Sequence, residues 1–405
     1  MVAMRPIAHT ISLGDARGHI DAALRPVTVT ERVTLSDAHG RVMAEALAAT
    51  ADVPPFSRAA MDGYAVRAAD TEGATSDTPR ALIYIGQAFT GGMPTEQVGA
   101  GQCLEIATGA PMPEGADAVV MVEKTQPASD GAVQILTTAH PGQHVGPRGA
   151  DIAKGQTVLT IGEFLNASRV GALAALGLTS VEVYARPRVA ILSTGNEIVD
   201  PGHVLAPGQI YDINRFTLAA LVSAHGGIPV PHRAAADTLE DLMRAVDECL
   251  DADILVFSGG SSVGTRDLVT DVLKSKGQML FHGVAIKPGK PTAFGLIEGR
   301  PFFGLPGYPA SCLSNGHVLL VPALRKVARL PPDALRSVTV PLGAKVKSAR
   351  DRHQFFTVRV QAGIAVPVFK ASGDITSLSR ADGYIEIPEQ TESIEEGTLV
   401  EVTLL

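Results

Sequence analysis

The sequence predicts a multidomain α/β plus β protein, and three observations carry that expectation. From Arg188 onward, near-continuous apolar runs alternate with helical segments, the signature of a parallel sheet covered on both faces. Upstream, a group of short apolar runs separated by Gly/Pro turns interrupts a more helical region. After about Pro331 only strand-like runs remain. The length of 405 residues allows two to four such domains at roughly 100–200 residues each.

Taken in order, "SLGDARGHIDAALRP" and "LSDAHGRVMAEALAA" read as helices near the start of the chain. The proline pair in "VPPFSRAAMDGYAVRAAD" changes its character, and "RALIYIG", "QCLEIATG", "ADAVVMVEKT" and "AVQILTT" follow as strands. "NASRVGALAALG" reads as a helix capped by Asn166 or Ser168 and stopped by Gly177, with "SVEVYARP" a strand after it. The alternating region then runs strand "RVAILS", helix "NRFTLAALVSAHG", strand "IPVPH", helix "DTLEDLMRAVDECL", strand "DILVFS" and helix "TRDLVTDVLKSKG". Strands "TAFGLI" and "PFFGL" and helix "ASCLSNGHVLLVPALRKVA" complete it. Asp237 is placed as an N-cap with Glu240 at the capping-box position. "SVTVPLG", "QFFTVRV", "AVPVFKA", "YIEIPE" and "TLVEVTLL" make the tail a small barrel or sandwich. The expected division is 1–52 with 141–186 as a helical and extended domain, 53–140 as an inserted β domain, 187–331 as the α/β domain and 332–405 as the C-terminal β domain.

With 45% hydrophobic and 19% charged residues the chain is a folded protein, not a disordered one. A net charge of -8 and the lack of a basic stripe argue against nucleic acid as a partner, although a local basic pocket can still take an anion. Cys103, Cys249 and Cys312 are far apart and lack C-x-x-C spacing, so buried inert thiols are expected rather than a zinc site or disulfides. No signal-peptide core and no run near the ~18 apolar residues of a membrane span is present. The expected compartment is the cytoplasm, with no membrane partner.

Ligands of open α/β sheets bind beyond the carboxyl ends of the strands. Three loops fall there: "STGNEIVDPG" with Ser193, Thr194, Gly195 and Glu197; "SGGSSVGTRD" with Ser258, Gly259, Gly260, Ser261, Ser262, Gly264 and Asp267; and "GLPGYPASC" with Pro306, Gly307, Pro309 and Ser311. Glycines let the backbone approach a ligand, and free amides beside a helix start favour an anion. The bland alternative for such a loop is a plain tight turn. "KPGKPTAFG" brackets a Pro-Gly turn with Lys287 and Lys290, two point charges suited to an oxyanion. Glu197, Asp237 and Asp267, beside a phosphate-type loop, suggest Mg²⁺, which takes one or two carboxylates plus phosphate oxygens. Asp62 in "MDGYA" and Asp151 in "RGADI" lie in other regions. No Ser/His/Asp order stands out, so the chemistry expected is positioning and charge neutralisation of a phosphoryl-type reaction.

Together, "FSRAAMDGYAV", "ATGAPMPEGADAVV", "RGADI", "STGNEIV", "SGGSSVGTRD", "KPGKPTAFG" and "GLPGYPAS" resemble, in order and over essentially the whole chain, the MoeA family of molybdopterin molybdenumtransferases, relatives of the gephyrin E domain. The resemblance implies a homodimer of subunits with a helical/extended dimerisation domain, an inserted β domain, a MogA-like three-layer α/β/α domain and a C-terminal β barrel. It implies insertion of molybdate into adenylyl-molybdopterin with release of AMP and a requirement for Mg²⁺. A MogA-like adenylyltransferase and molybdoenzyme-maturation proteins would be the neighbouring partners. By motif, Asp62, Thr108 and Asp151 look like cleft residues contributed across the dimer. Glu197, Asp237 and Asp267 look like the acidic set for metal and nucleotide. Lys287, Lys290 and Pro291 look like part of a molybdate pocket that Arg352 and Ser377 would complete. The chain departs from the usual family pattern at Ala59, Ala150, Asn196, Tyr308 and Thr357. A MogA-like adenylyltransferase is the rival enzyme, though such a chain would lack the first 180 residues and the tail. A non-catalytic scaffold is the rival of another class.

Overall fold

The structure is a computed structural model that describes residues 9–128, 131–236, 238–259 and 268–405. The chain forms two compact units. The first comprises Met1–Glu31, Gly40–Val42 and Val183–Leu405, the second Arg32–His39 and Met43–Glu182.

The first unit is built on a six-stranded sheet. Its elements are β1 (Arg188–Ser193), α1 (Asn214–Ala224), β2 (Ile228–Pro231), α2 (Leu239–Glu248), β3 (Ile254–Ser258), α3 (Leu268–Lys276), β4 (Gly277–His282), β5 (Ala293–Ile297), β6 (Arg300–Leu305) and α4 (Pro309–Asn315). Spatial order is β2-β1-β3-β6-β5-β4. Successive residues of β1 point to opposite sides. Val189 and Ile191 join a core with Leu218 of α1 and Leu319 and Leu324 beyond α4, while Ala190 and Leu192 join one with Leu242 of α2 and Val272 of α3. Both faces are therefore buried under helices, which is why the strands read as continuous apolar runs. The helix Leu13–Ala23 adds Leu13, Ala16 and Ile20 to the first of these cores, with Ser12 Oγ accepting from the amide of Asp15 as its cap.

Four local expectations change. The sheet is mixed: β1, β2, β3 and β6 are parallel, but β5 runs antiparallel to β6. The reason is a two-residue hairpin turn at Glu298–Gly299, both at positive φ (47° and 80°), whose twist matches that of the strands it joins. β4 is a strand the sequence hid, because a run without alternation follows directly on a helix. The α2 cap is Thr238, whose Oγ1 accepts from the amide of Asp241 and donates to its carboxylate; the predicted cap Asp237 lies outside the described residues. In the stretch "LSDAHGRVMAEALAA" only Leu35–Ala38 is helical. There the amides of Met43 and Ala49 bond to the carbonyls of Glu163 and Gln156 instead, and Leu47–Ala48 pairs with Thr157–Leu159. The helix at Ala167–Ala175 is capped by Asn166.

The tail folds as a barrel. Ser337–Pro341 pairs with Leu399–Leu404, which pairs with Gly383–Ile387, then His353–Gln361, then Ile364–Pro367. A bridge between Leu342 and Ala365, with the Gly343 amide 2.8 Å from the Ala365 carbonyl, closes the ring. The short strand Ile286–Lys287 pairs in parallel with His353–Gln354, so the α/β domain lends the barrel a strand.

The second unit carries a six-stranded sheet in the order Ala118–Met121, Gly63–Val66, Gln102–Ile106, Arg80–Ala88, Ala132–Ile135, Thr125–Pro127. Cores lie on both of its faces, one with Val66, Leu82 and Val120, the other with Ala65, Leu104 and Val119.

Candidate active site

In the first unit the parallel strands β1, β3 and β6 end at Ser193, Ser258 and Leu305. Ser193 Oγ donates to Asp212 Oδ1 at 2.9 Å and lies 3.4 Å from Ser258 Oγ. Asp212 is buried, and its carboxylate also accepts from the amide of Arg215 at 3.0 Å and faces Arg215 Nε at 3.4 Å. The Arg215 guanidinium reaches on to Asp200 and to the His232 carbonyl. Asn214 Nδ2 donates to the Gly307 carbonyl at 2.8 Å, tying α1 to the turn before α4. Asp212 and Asn214 escaped the sequence reading, since a lone Asp and Asn in "YDIN" look like ordinary helix-start residues.

The loops beyond these strands pack closely. The Thr194 amide bonds to the Ser258 carbonyl, and that of Gly259 to the Leu305 carbonyl. Gly259 sits at φ +98°, and a Cβ there would lie 2.5 Å from the Thr194 carbonyl oxygen, so only glycine fits; a Cβ on Gly307 would in turn lie 3.3 Å from the Gly259 Cα. A bridge from Thr194 to Ala235 brings the loop after β2 alongside. Thr194 Oγ1 and Asn214 Oδ1 are buried with no hydrogen bond from the described residues, which leaves two polar atoms available to another molecule. Glu197 is exposed on its loop. Pro309 takes the first position of α4, and Pro306 and Ser311 are buried beside it. Asp237, Gly260, Ser261, Ser262, Gly264 and Asp267 lie outside the described residues. Among the described residues no group of three or more His, Cys, Asp or Glu side chains could hold a metal.

The cationic group lies on the same unit. Pairing of Ile286 with His353 and of Lys287 with Gln354 sets Lys287 next to the segment that carries Arg352. Arg352 Nε pairs with Asp351 at 3.2 Å, and this contact with Arg352, helped by the charge of Lys290, holds the Asp351 carboxyl below its usual range. Lys287, Lys290 and Pro291 are half-buried. Ser377 is fully buried, and its Oγ accepts from the Lys370 amide at 3.1 Å, closing the loop before it.

In the second unit Asp62 Oδ1 accepts from the Thr108 amide at 2.7 Å, and this contact lowers the Asp62 pKa. Backbone bonds from Ala59 to Ala110, Gly109 to Ala59 and Met112 to Ser57 lace the two motif loops together. Asp151 is exposed, and its amide bonds to Val53. Asp52, unnoticed in the sequence, organises the "RGADI" loop. Its carboxylate accepts from the Lys154 amide at 2.8 Å and from Arg148 Nε at 2.6 Å, which lowers its pKa. The three cysteines are buried, and burial pushes the Cys103 and Cys249 thiols up to about 12 and Cys312 higher still, as inert thiols require.

Residues 11–177 match the MoeA N-terminal region (domain I and II), residues 190–326 the probable molybdopterin binding domain, and residues 339–405 the MoeA C-terminal region (domain IV). The chain is 36% identical to molybdopterin molybdenumtransferase 2 of Mycobacterium tuberculosis over 94% of its own length and 95% of that protein. It is 32% identical to molybdopterin molybdenumtransferase of Haemophilus influenzae, with 97% and 98% covered. A crystal structure of a molybdopterin biosynthesis MoeA protein from Pyrococcus horikoshii superimposes with a TM-score of 0.84 at 40% identity, covering 98% of this chain and 99% of that one.

Proposed function

The chain belongs to the MoeA family of molybdopterin molybdenumtransferases, and from that premise we propose that it inserts molybdate into adenylyl-molybdopterin and releases AMP. As a member of that family it is a transferase of molybdenum cofactor biosynthesis. The observation that supports the finer reading is the pairing, within one unit, of two built features. Strand ends lined by Gly259, Gly307 and the buried oxygens of Thr194 and Asn214 suit a polar nucleotide-like ligand. The cations Lys287, Lys290 and Arg352 suit a tetrahedral oxyanion.

Glu197 offers an exposed carboxylate on the loop after β1, folded over the Gly195 backbone, an oxygen donor of the kind a divalent cation takes. Glu197 would hold Mg²⁺ with Asp237 and Asp267, and the ion would supply charge neutralisation at the phosphate. Gly259 and Gly307 let the strand-end loops close on one another at the mouth of the site. The Thr194 hydroxyl orients the ligand's phosphate, and the lysine turn holds molybdate near the site of insertion by charge. Asp62, positioned by Thr108, and Asp151 belong in this reading to the partner subunit's contribution in a homodimer. The four-domain division given above and a cytoplasmic setting belong to the same proposal; no helix among the described residues is long and apolar enough to cross a membrane.

Purified protein supplied with adenylyl-molybdopterin, molybdate and Mg²⁺ is expected to release AMP in proportion to molybdate. Lys287→Ala is expected to raise the molybdate concentration needed for half-maximal release. AMP release indifferent to molybdate would refute the reading.

A further inference from the structure

We propose that Asn315 is a positioning residue that sets the lysine turn 287–291 for oxyanion binding; this rests on the reading of that turn as the molybdate pocket. Asn315 is the last residue of α4 and is fully buried. Its Nδ2 donates to Thr292 Oγ1 at 2.6 Å and to the Gly289 carbonyl at 3.2 Å. Thr292 Oγ1 in turn donates to the same Gly289 carbonyl at 2.8 Å. Gly289 is the centre of the turn between the two lysines. At φ +111°, a Cβ on it would lie 2.1 Å from Asn315 Nδ2, so the turn lies directly against the amide with no side chain between.

The arrangement is costly in itself. Among the described residues Asn315 Oδ1 is buried without a hydrogen-bond partner, a penalty that a leucine of similar volume would not carry. A polar side chain retained at such a position gains its place through the two bonds its amide donates. The turn is thus fixed from both ends. The ladder to Gln354 holds Lys287, and Asn315 with Thr292 holds Gly289, leaving Lys290 little freedom to drift from its partner lysine. Immediately after Asn315 the helix widens into a π-type turn, Gly316–Leu320, a distortion that recurs at functional sites. Neither Asn315 nor Thr292 carries charge, so their effect on an anion runs through the lysines.

The test is molybdate binding to the full chain by titration calorimetry, alongside molybdate-dependent AMP release. Asn315→Leu and Thr292→Val are each expected to weaken molybdate binding about tenfold, in the range that losing one buried hydrogen bond to the Gly289 carbonyl costs. Thr292→Ser, which keeps the hydroxyl, is expected to bind like the parent protein. The half-saturating concentration of adenylyl-molybdopterin should stay put, a split that a general loss of fold would not give. Should Asn315→Leu fail to fold, the Thr292 pair decides. Unchanged molybdate affinity in folded Thr292→Val, or a parent protein that binds no molybdate, overturns the inference. A parent protein that binds molybdate with this dependence on Thr292 but releases no AMP supports the inference while refuting the proposed reaction.

Discussion

The candidate carboxylates of the second unit sit at the surface, held by main-chain amides, whereas the strand-end groups of the first unit are buried and held by one another. Asp62 and Asp52 each take a backbone N–H from a neighbouring motif loop, Asp62 exposed and Asp52 half-buried. Asp212, Ser193, Ser258 and Arg215 form a buried polar network below the strand ends. A surface carboxylate can be changed with little effect on folding, while a buried charge that loses its partner is expensive. The buried strand-end network of the first unit should therefore fail through stability, and the surface carboxylates of the second through chemistry.

The sharpest way to break this contrast is Asp212→Ala, which strands the Arg215 guanidinium beside a buried serine pair. It is expected to cost about 3 kcal/mol in denaturant unfolding, with Asp200 left as the remaining partner of Arg215. A loss under 1 kcal/mol, a level typical of surface pairs, would abolish the distinction.

Acid response should separate the units next. His317 has its pKa pushed down to about 4 by burial, with the charge of His225 adding to the effect and Asp333 opposing it. The folded protein therefore resists a proton that the unfolded chain accepts near 6.5. Stability from this group is full above pH 6.5 and drains away as the pH falls toward 4, by on the order of 2–3 kcal/mol. His317→Gln should flatten that slope. In the second unit Asp52, Asp62 and Glu163 are shifted down chiefly by hydrogen bonds from the amides of Lys154, Thr108 and Thr160. Their contribution persists to lower pH and goes only as the carboxylates protonate, below about 4. Unfolding curves that move equally with pH in the parent and His317→Gln would contradict the first half of this statement.

Gly259→Ala comes third, expected to cost about 2 kcal/mol through a left-handed backbone and a clash with the Thr194 carbonyl. A melting temperature like that of the parent would show that the loop yields. The smallest stability effect belongs to Asp62→Asn, expected to stay within about 0.5 kcal/mol while AMP release falls at least tenfold. A large fall in melting temperature would move Asp62 from chemistry to structure.

Much of this was legible in the chain before its fold. "GLPGYPASC" announces a stiff turn and a helix beginning at Pro309, and that is where α4 starts. The alternation of β1, β3 and β6 is equally plain, because both faces of each strand are buried. What the sequence concealed has physical causes. Asp212 acquires its burial from Ser193, 19 positions away, and nothing local distinguishes it from a solvated helix-start residue. Asp52 is likewise defined by Lys154, 102 positions on. Asp237 and Thr238 are both cap-type residues one apart, and only the hydrogen bond from Asp241 decides between them. β4 lacked a turn signal to separate it from α3. Among the site residues, contacts near in sequence could be read, and those made by the tertiary fold could not.

The ring closure at Leu342 and Ala365 has a consequence for how other proteins can meet the tail. An open sheet presents a row of unpaired amides and carbonyls that another chain can extend by adding a strand. Here the first and last strands of the ring are already joined, and the one extra strand, Ile286–Lys287, comes from within the same chain. Strand addition is blocked where Leu342 meets Ala365 and where Ile286–Lys287 lies, so a protein that engages those positions must do so through loops and outward-facing side chains.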